Sequence, residues 1–122
     1  MTAKKITAIE SLNILKTSVE EFILRAKNLS KDGLTVAEFG HLFVDIMRLT
    51  ITAIDSIPIE NSEKKVFVVQ SVAILFDTVA DKCIPLFVKP IWYVVKPAIR
   101  SLLLSVADGA VEGMLPMLRE KT

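Results

Sequence analysis

At 122 residues and a net charge of +1, the chain has room for one domain, residues 1–122. It lacks the concentrated basic surface that nucleic acid demands. Its 52% hydrophobic content and mean hydropathy of +0.49 exceed the roughly 45–50% apolar share of ordinary soluble domains, so apolar surface is left over for a partner subunit, a lipid surface or a ligand. A single cysteine, Cys83, excludes an internal disulfide framework and any multi-cysteine metal site, and in its apolar setting reads as a small core residue.

The N-terminal stretch MTAKKITAIESLNILK has basic residues but neither an uninterrupted apolar region nor a small-residue cleavage site. It is not expected to be a secretory signal, which favours an intracellular or virion setting. The first predicted helix is the clearest element. Leu12, Leu15, Val19, Phe22, Ala26 and Leu29 recur at alternating intervals of three and four, which keeps one face apolar. Thr7 is placed to cap its start, and Gly33 can take the left-handed conformation that closes it.

The second helix opens with Thr35-Val36-Ala37-Glu38, the pattern in which threonine and glutamate satisfy each other's free amides. It should run to about Ser56, because Pro58 disfavours helix at Ile57. Val36, Phe39, Phe43, Ile46 and Ile54 form its main stripe, widened by Leu42, Met47 and Leu49. A stripe that wide predicts burial between two neighbours. Ser62 is the expected N-cap of a third helix. The run VFVVQSVAILF over 66–76 has strand-like β-branching, but it continues unbroken to Cys83 and no second strand is available to pair with it. It is read as a central, buried helix.

Pro85, Pro90, Pro97 and Pro116 punctuate the rest. Proline is tolerated in a first helical turn and kinks or breaks an interior. The expectation is a short fourth helix beginning near Pro85 or Pro90 and ending at Val95, then a fifth from near Pro97. Gly109 and Gly113, four apart, leave a smooth strip suited to close helix packing. The predicted fold class is therefore all-α: a compact bundle of about five helices, the last part proline-kinked.

Candidate chemistry is sparse. Asn28 to Phe39 superficially follows a calcium loop, but the twelfth position is Phe39 instead of glutamate, and a plain interhelical turn is the better reading. His41 and Asp45 share a helical face, yet no second histidine exists to complete a common zinc set. Asp77/Asp81 and Asp108/Glu112 are carboxylate pairs at helical spacing, with Lys82 and Arg100 at hand as counter-ions. They read as surface pairing. No catalytic residue, metal site or cofactor is assigned.

Lys89, Trp92, Tyr93, Lys96 and Arg100 are the most suggestive group. On a continuous helix the three basic residues fall within about 40° of one another, with the aromatics on either side. Basic residues flanking aromatics suit a helix at a membrane interface, and equally a partner contact with Trp92 packed inward. Spanning is disfavoured: a 20-residue stretch over this region would carry all three charges into the bilayer.

Ser62-Glu63-Lys64-Lys65 leading into VFVVQSVAILFDTV, followed by a proline-rich apolar segment and by Asp108-Gly-Ala-Val-Glu112, resembles short helical proteins of tailed phages and large DNA viruses. The resemblance covers about half the chain, contains no diagnostic motif and brings no site residues. It implies a virion structural or accessory protein. The combined expectation is a non-enzymatic interaction protein assembling with itself or with a larger particle, through a protein partner or homo-oligomer. The alternative is a membrane-associated helical protein, peripheral or holin-like, using the basic aromatic segment.

Overall fold

The computed structural model describes residues 3–120, with side-chain surroundings for residues 9–113. Four α-helices follow one another: α1 (Ala3–Leu29), α2 (Val36–Asp55), α3 (Asn61–Val79) and α4 (Lys89–Glu120). Two 3-10 turns, Ala80–Cys83 and Leu86–Val88, connect α3 to α4. No strand occurs among the described residues. The 66–76 run is helical, as its length and lack of a partner strand require.

Local chemistry sets the clearest boundary. Thr35 Oγ1 accepts from the Glu38 amide at 3.0 Å, and the Glu38 carboxylate accepts from the Thr35 amide at 2.9 Å. That reciprocal pair satisfies two of the free donors at the start of α2 and holds the Glu38 carboxyl below its ordinary range. Gly33 closes the preceding turn at φ 107°, a conformation that other side chains resist. The α1 start lies at Ala3, ahead of Thr7.

The apolar stripe of α1 is buried through Leu15, Val19 and Ala26, with Leu12 and Phe22 packed at its margin. Leu29, the last member of the predicted seam, is instead 71% exposed. After Ala26 the next inward step is four residues, not three, so Ser30 takes the buried place. Its hydroxyl donates to the Lys27 carbonyl at 2.9 Å. In α2 the buried residues are Ile46, Met47, Thr50, Ile51 and Ile54. Val36 lies outside the core, exposed in the first turn. Helix α3 contributes Val68, Val72, Leu75 and Val79 to the main core, and Phe76 to a second cluster with Ala80 and Trp92. Thr50 and Ser71 are tolerated in this interior because each hydroxyl donates back to a carbonyl of its own helix, Ile46 at 2.7 Å and Phe67 at 2.9 Å.

Helix α3 is central. It packs against α1, α2 and α4, and α2 also touches α1 and α4. Helices α1 and α4 lie on opposite sides of this pair and make no contact among the described residues. One end of the compact bundle is tied across its loops by the Leu34 amide, which donates to the Lys82 carbonyl at 3.0 Å.

Two expectations are corrected here. The N-cap of α3 is Glu60, with Asn61 the first helical residue, so Ser62 sits inside the first turn. More consequentially, the predicted fourth and fifth helices are one 32-residue helix, α4, and the bundle has four helices instead of five. Pro90 is its second residue, where an amide proton would have no partner in any case. Pro97 is interior and deprives the Tyr93 carbonyl of its donor. Both Pro97 and Tyr93 are exposed, so that carbonyl opens to water and the helix continues.

Candidate functional site

The residues singled out in the sequence fall on the first three turns of α4, and the structure divides them. Trp92 is buried, 7% exposed, with its ring 6.1 Å from that of Phe76. Its Nε1–H donates to Asp81 Oδ1 at 2.7 Å. Lys96 Nζ reaches the same carboxylate oxygen at 2.9 Å. Arg100 grips Asp77 with two parallel bonds, Nε to Oδ1 at 2.9 Å and Nη2 to Oδ2 at 3.0 Å. Lys89 is half-buried near Asp81 and adds to its electrostatic field. Tyr93 is 56% exposed and is the one member of the group with most of its ring toward solvent.

The acidic pairs seen in the sequence supply the other half of this pattern. Asp77 and Asp81 diverge to different partners, while Asp108 and Glu112 converge on Lys65, whose Nζ lies 3.2 Å from Asp108 and also bonds Glu112. Lys65 and Asp77 lie on α3, four-residue steps from Val69 and Ala73, and Asp81 lies in the turn beyond. Their partners on α4 run in the opposite order: Glu112 and Asp108, then Arg100, then Lys96. The charge order reverses along the seam, basic to acidic on one side and acidic to basic on the other. Antiparallel packing therefore matches unlike charges throughout, whereas a parallel arrangement would set Lys65 beside Lys96. These pairs are at the surface, and their role is alignment more than stability.

The Asp81 carboxyl is held below its ordinary range by the Trp92 and Lys96 hydrogen bonds, with the charges of Lys96 and Lys89 adding to them and partial burial opposing. The folded state thus prefers the charged form. Its contribution is complete above the unfolded value near 4, and is lost as pH falls through the depressed folded value. Urea unfolding measured from pH 6 down to about pH 2 should show a shallower acid dependence for Asp81→Asn than for the wild type. Equal slopes would mean that Asp81 gains nothing from these partners.

The inward role of Lys96 and Arg100 leaves the outer face of α4 to other residues. At 100° per residue, Ile91, Val94, Val95, Ala98, Leu102, Val106, Gly109 and Gly113 share about 120° of arc. Ile91 is 65% exposed, Val94 79%, Leu102 64% and Val106 53%. Between Ile91 and Gly113 the one charge on that arc is Glu112, at its edge and paired with Lys65. The connecting turn extends the apolar surface through Leu86 and Phe87, 81% and 86% exposed. By contrast the exposed positions of α1 include Glu10, Lys16, Glu20, Glu21 and Arg25. Composition and the Gly109/Gly113 spacing pointed toward such a face, but only a continuous helix through Pro97 assembles it.

Behind the inner face lies an open apolar cavity of about 340 Å³, lined by Val36, Phe39, Phe76, Ala80, Cys83, Ile84, Trp92, Ile99 and Leu103. Cys83 is half-buried, its thiol pushed up by burial and by the nearby Glu38 charge. His41 and Asp45 are both exposed. Among the described residues, no three His, Cys, Asp or Glu side chains are grouped to hold a metal ion, and no helix is long and apolar enough to cross a membrane. The chain matches no family model, no curated protein and no solved structure.

Proposed function

We propose that this chain is a non-enzymatic assembly protein, acting through the outer face of α4 on a protein partner: another copy of itself or a larger particle. A virus particle is the case that the resemblance at residues 62–79 and 108–112 suggests. The observation that carries the reading is the largely apolar outer arc of α4 from Ile91 to Gly113, an exposed helix face whose polar side chains are Ser105 and, at its edge, Glu112. Fully burying an aliphatic side chain is worth about 1.5–3 kcal/mol, so covering what remains exposed on the four most exposed side chains of the arc yields roughly 4–8 kcal/mol. Association itself costs about 4–15 kcal/mol. The face therefore holds a partner only when the opposing surface is also apolar. Size-exclusion chromatography with light scattering should give a defined, soluble species larger than one chain, alone or with its partner. A monomer at all accessible concentrations that binds no particle component would count against the proposal.

The membrane-associated reading is favoured by one specific observation, the exposed Leu86 and Phe87 beside Lys89. Against it, Lys96 and Arg100 are committed to Asp81 and Asp77, so two of the three basic residues of the segment are not free to attract anionic lipid. Because Trp92 is already buried, its fluorescence is a poor reporter of lipid contact. Flotation of the wild type and of Phe87→Ser with anionic vesicles is the suitable test. We expect neither to float at low salt, and flotation of the wild type abolished by Phe87→Ser would establish the membrane reading instead.

A further inference from the structure

Resting on that assembly reading, we infer that the occupant of the α4 outer face is a second copy of α4, laid antiparallel across a two-fold axis at Leu102. The argument comes from the distribution of side-chain size along the arc. The N-terminal half presents bulky residues, Ile91, Val94 and Val95, while the C-terminal half presents Gly109 and Gly113, and all are exposed. Antiparallel pairing about Leu102 sets Ile91 over Gly113, Val95 over Gly109 and Ala98 over Val106, with Leu102 meeting its own copy. Apart from Leu102 on the axis, each large side chain of one helix then faces a small one of the other, which makes the surface self-complementary as an isologous contact requires. A parallel pair would collide at Ile91 and Val95 and leave a gap at the two glycines.

Charge does not oppose this register: Lys96, Arg100, Asp108 and Glu112 are each paired within the chain, so the arc that the two copies share carries no unpartnered charge. Size sets the strength. Ile91 to Gly113 spans about 33 Å of a helix some 10–12 Å across, which places the contact below the roughly 1,200 Å² total of a standard stable interface. The dimer should therefore dissociate on dilution.

Gly109 supplies the decisive variant. A Cβ added there meets nothing within 4 Å in the folded chain, so Gly109→Leu fits the monomer and favours helix, yet fills the hollow that Val95 of the second copy needs. Sedimentation over a dilution series should show self-association weakened at least tenfold for Gly109→Leu, with thermal stability of the monomer equal or higher. Unchanged self-association overturns the inference. In a Cys83→Ser background, oxidised Leu102→Cys should form a dimer. A mixture of Ile91→Cys and Gly113→Cys should cross-link predominantly between the two variants. Homodimers of Ile91→Cys would instead establish parallel pairing and overturn the register, leaving the assembly proposal standing. A wild-type chain that stays monomeric yet binds another partner through this face overturns the inference alone, and one that binds nothing overturns both.

Discussion

Phe76→Ala should cost about 3–5 kcal/mol of folding stability, the usual range for truncating a buried phenylalanine. Phe76 is 2% exposed. Its ring meets Phe39 edge-on at a centroid distance of 6.2 Å and Trp92 at 6.1 Å, so one side chain joins α2, α3 and α4. It also lines the 340 Å³ apolar cavity, and its removal would enlarge a space that the surrounding helices already leave unfilled. For a domain whose total stability is of order 5–15 kcal/mol, the loss corresponds to a fall of about 1–5 M in the urea midpoint, with slopes of about 1–3 kcal/mol/M. Phe87→Ala is the control: the same residue type at 86% exposure should change stability by no more than about 0.5 kcal/mol. If the alanine variant at Phe76 does not fold, Phe76→Leu should still fold, with an intermediate midpoint. Equal midpoints for the Phe76 and Phe87 variants would show that the second cluster is not part of the cooperative core.

What could be read from the chain and what could not divide along a physical line. The Thr35–Glu38 cap depends on four consecutive residues and was legible in full. So was the inward face of α1, because a sustained three-four alternation survives small errors of phase. It fails at its last step, where the choice between Leu29 and Ser30 depends on where the helix ends instead of on hydrophobicity. Pro97 could not be resolved locally. Whether an interior proline breaks a helix depends on whether the orphaned Tyr93 carbonyl finds water, and exposure is a property of the packed bundle.

The basic aromatic group shows the same dependence more sharply. Lys96 and Arg100 share a helical face, as their spacing required, yet that face points toward Asp81 and Asp77 instead of outward. The partners lie 15 and 23 positions earlier in the chain, so nothing near Lys96 or Arg100 announces them. Once these charges turn inward, the outer arc of the helix is left mainly to apolar residues. The inversion of polarity on α4 and the charge order of the α3–α4 seam are therefore two consequences of one arrangement.

Trp92→Ala should have an effect as large as that of Phe76→Ala, about 3–5 kcal/mol, and for a related but separable reason. Trp92 supplies the first buried anchor of α4, and it does so twice. Its ring packs on Phe76 in the second cluster, and its indole N–H satisfies Asp81 at 2.7 Å. Trp92→Phe keeps an aromatic ring on Phe76 while removing the donor, so it should destabilise less than the alanine variant and should weaken the acid dependence that Asp81 confers. Trp92→Ala removes both, and with them the contact that sets the start of α4 against the Ala80–Cys83 turn. The outer face is expected to lose order with it, so self-association should fall along with stability in the alanine variant and persist in Trp92→Phe. Urea unfolding followed by far-UV circular dichroism, which needs no tryptophan, measures the first effect, and sedimentation at matched concentration measures the second. Trp92→Phe retaining wild-type stability at neutral pH is compatible with this account. Trp92→Ala retaining it is not, because a residue that could be removed without cost would have to lie on the surface, where the basic segment would be free to serve a membrane.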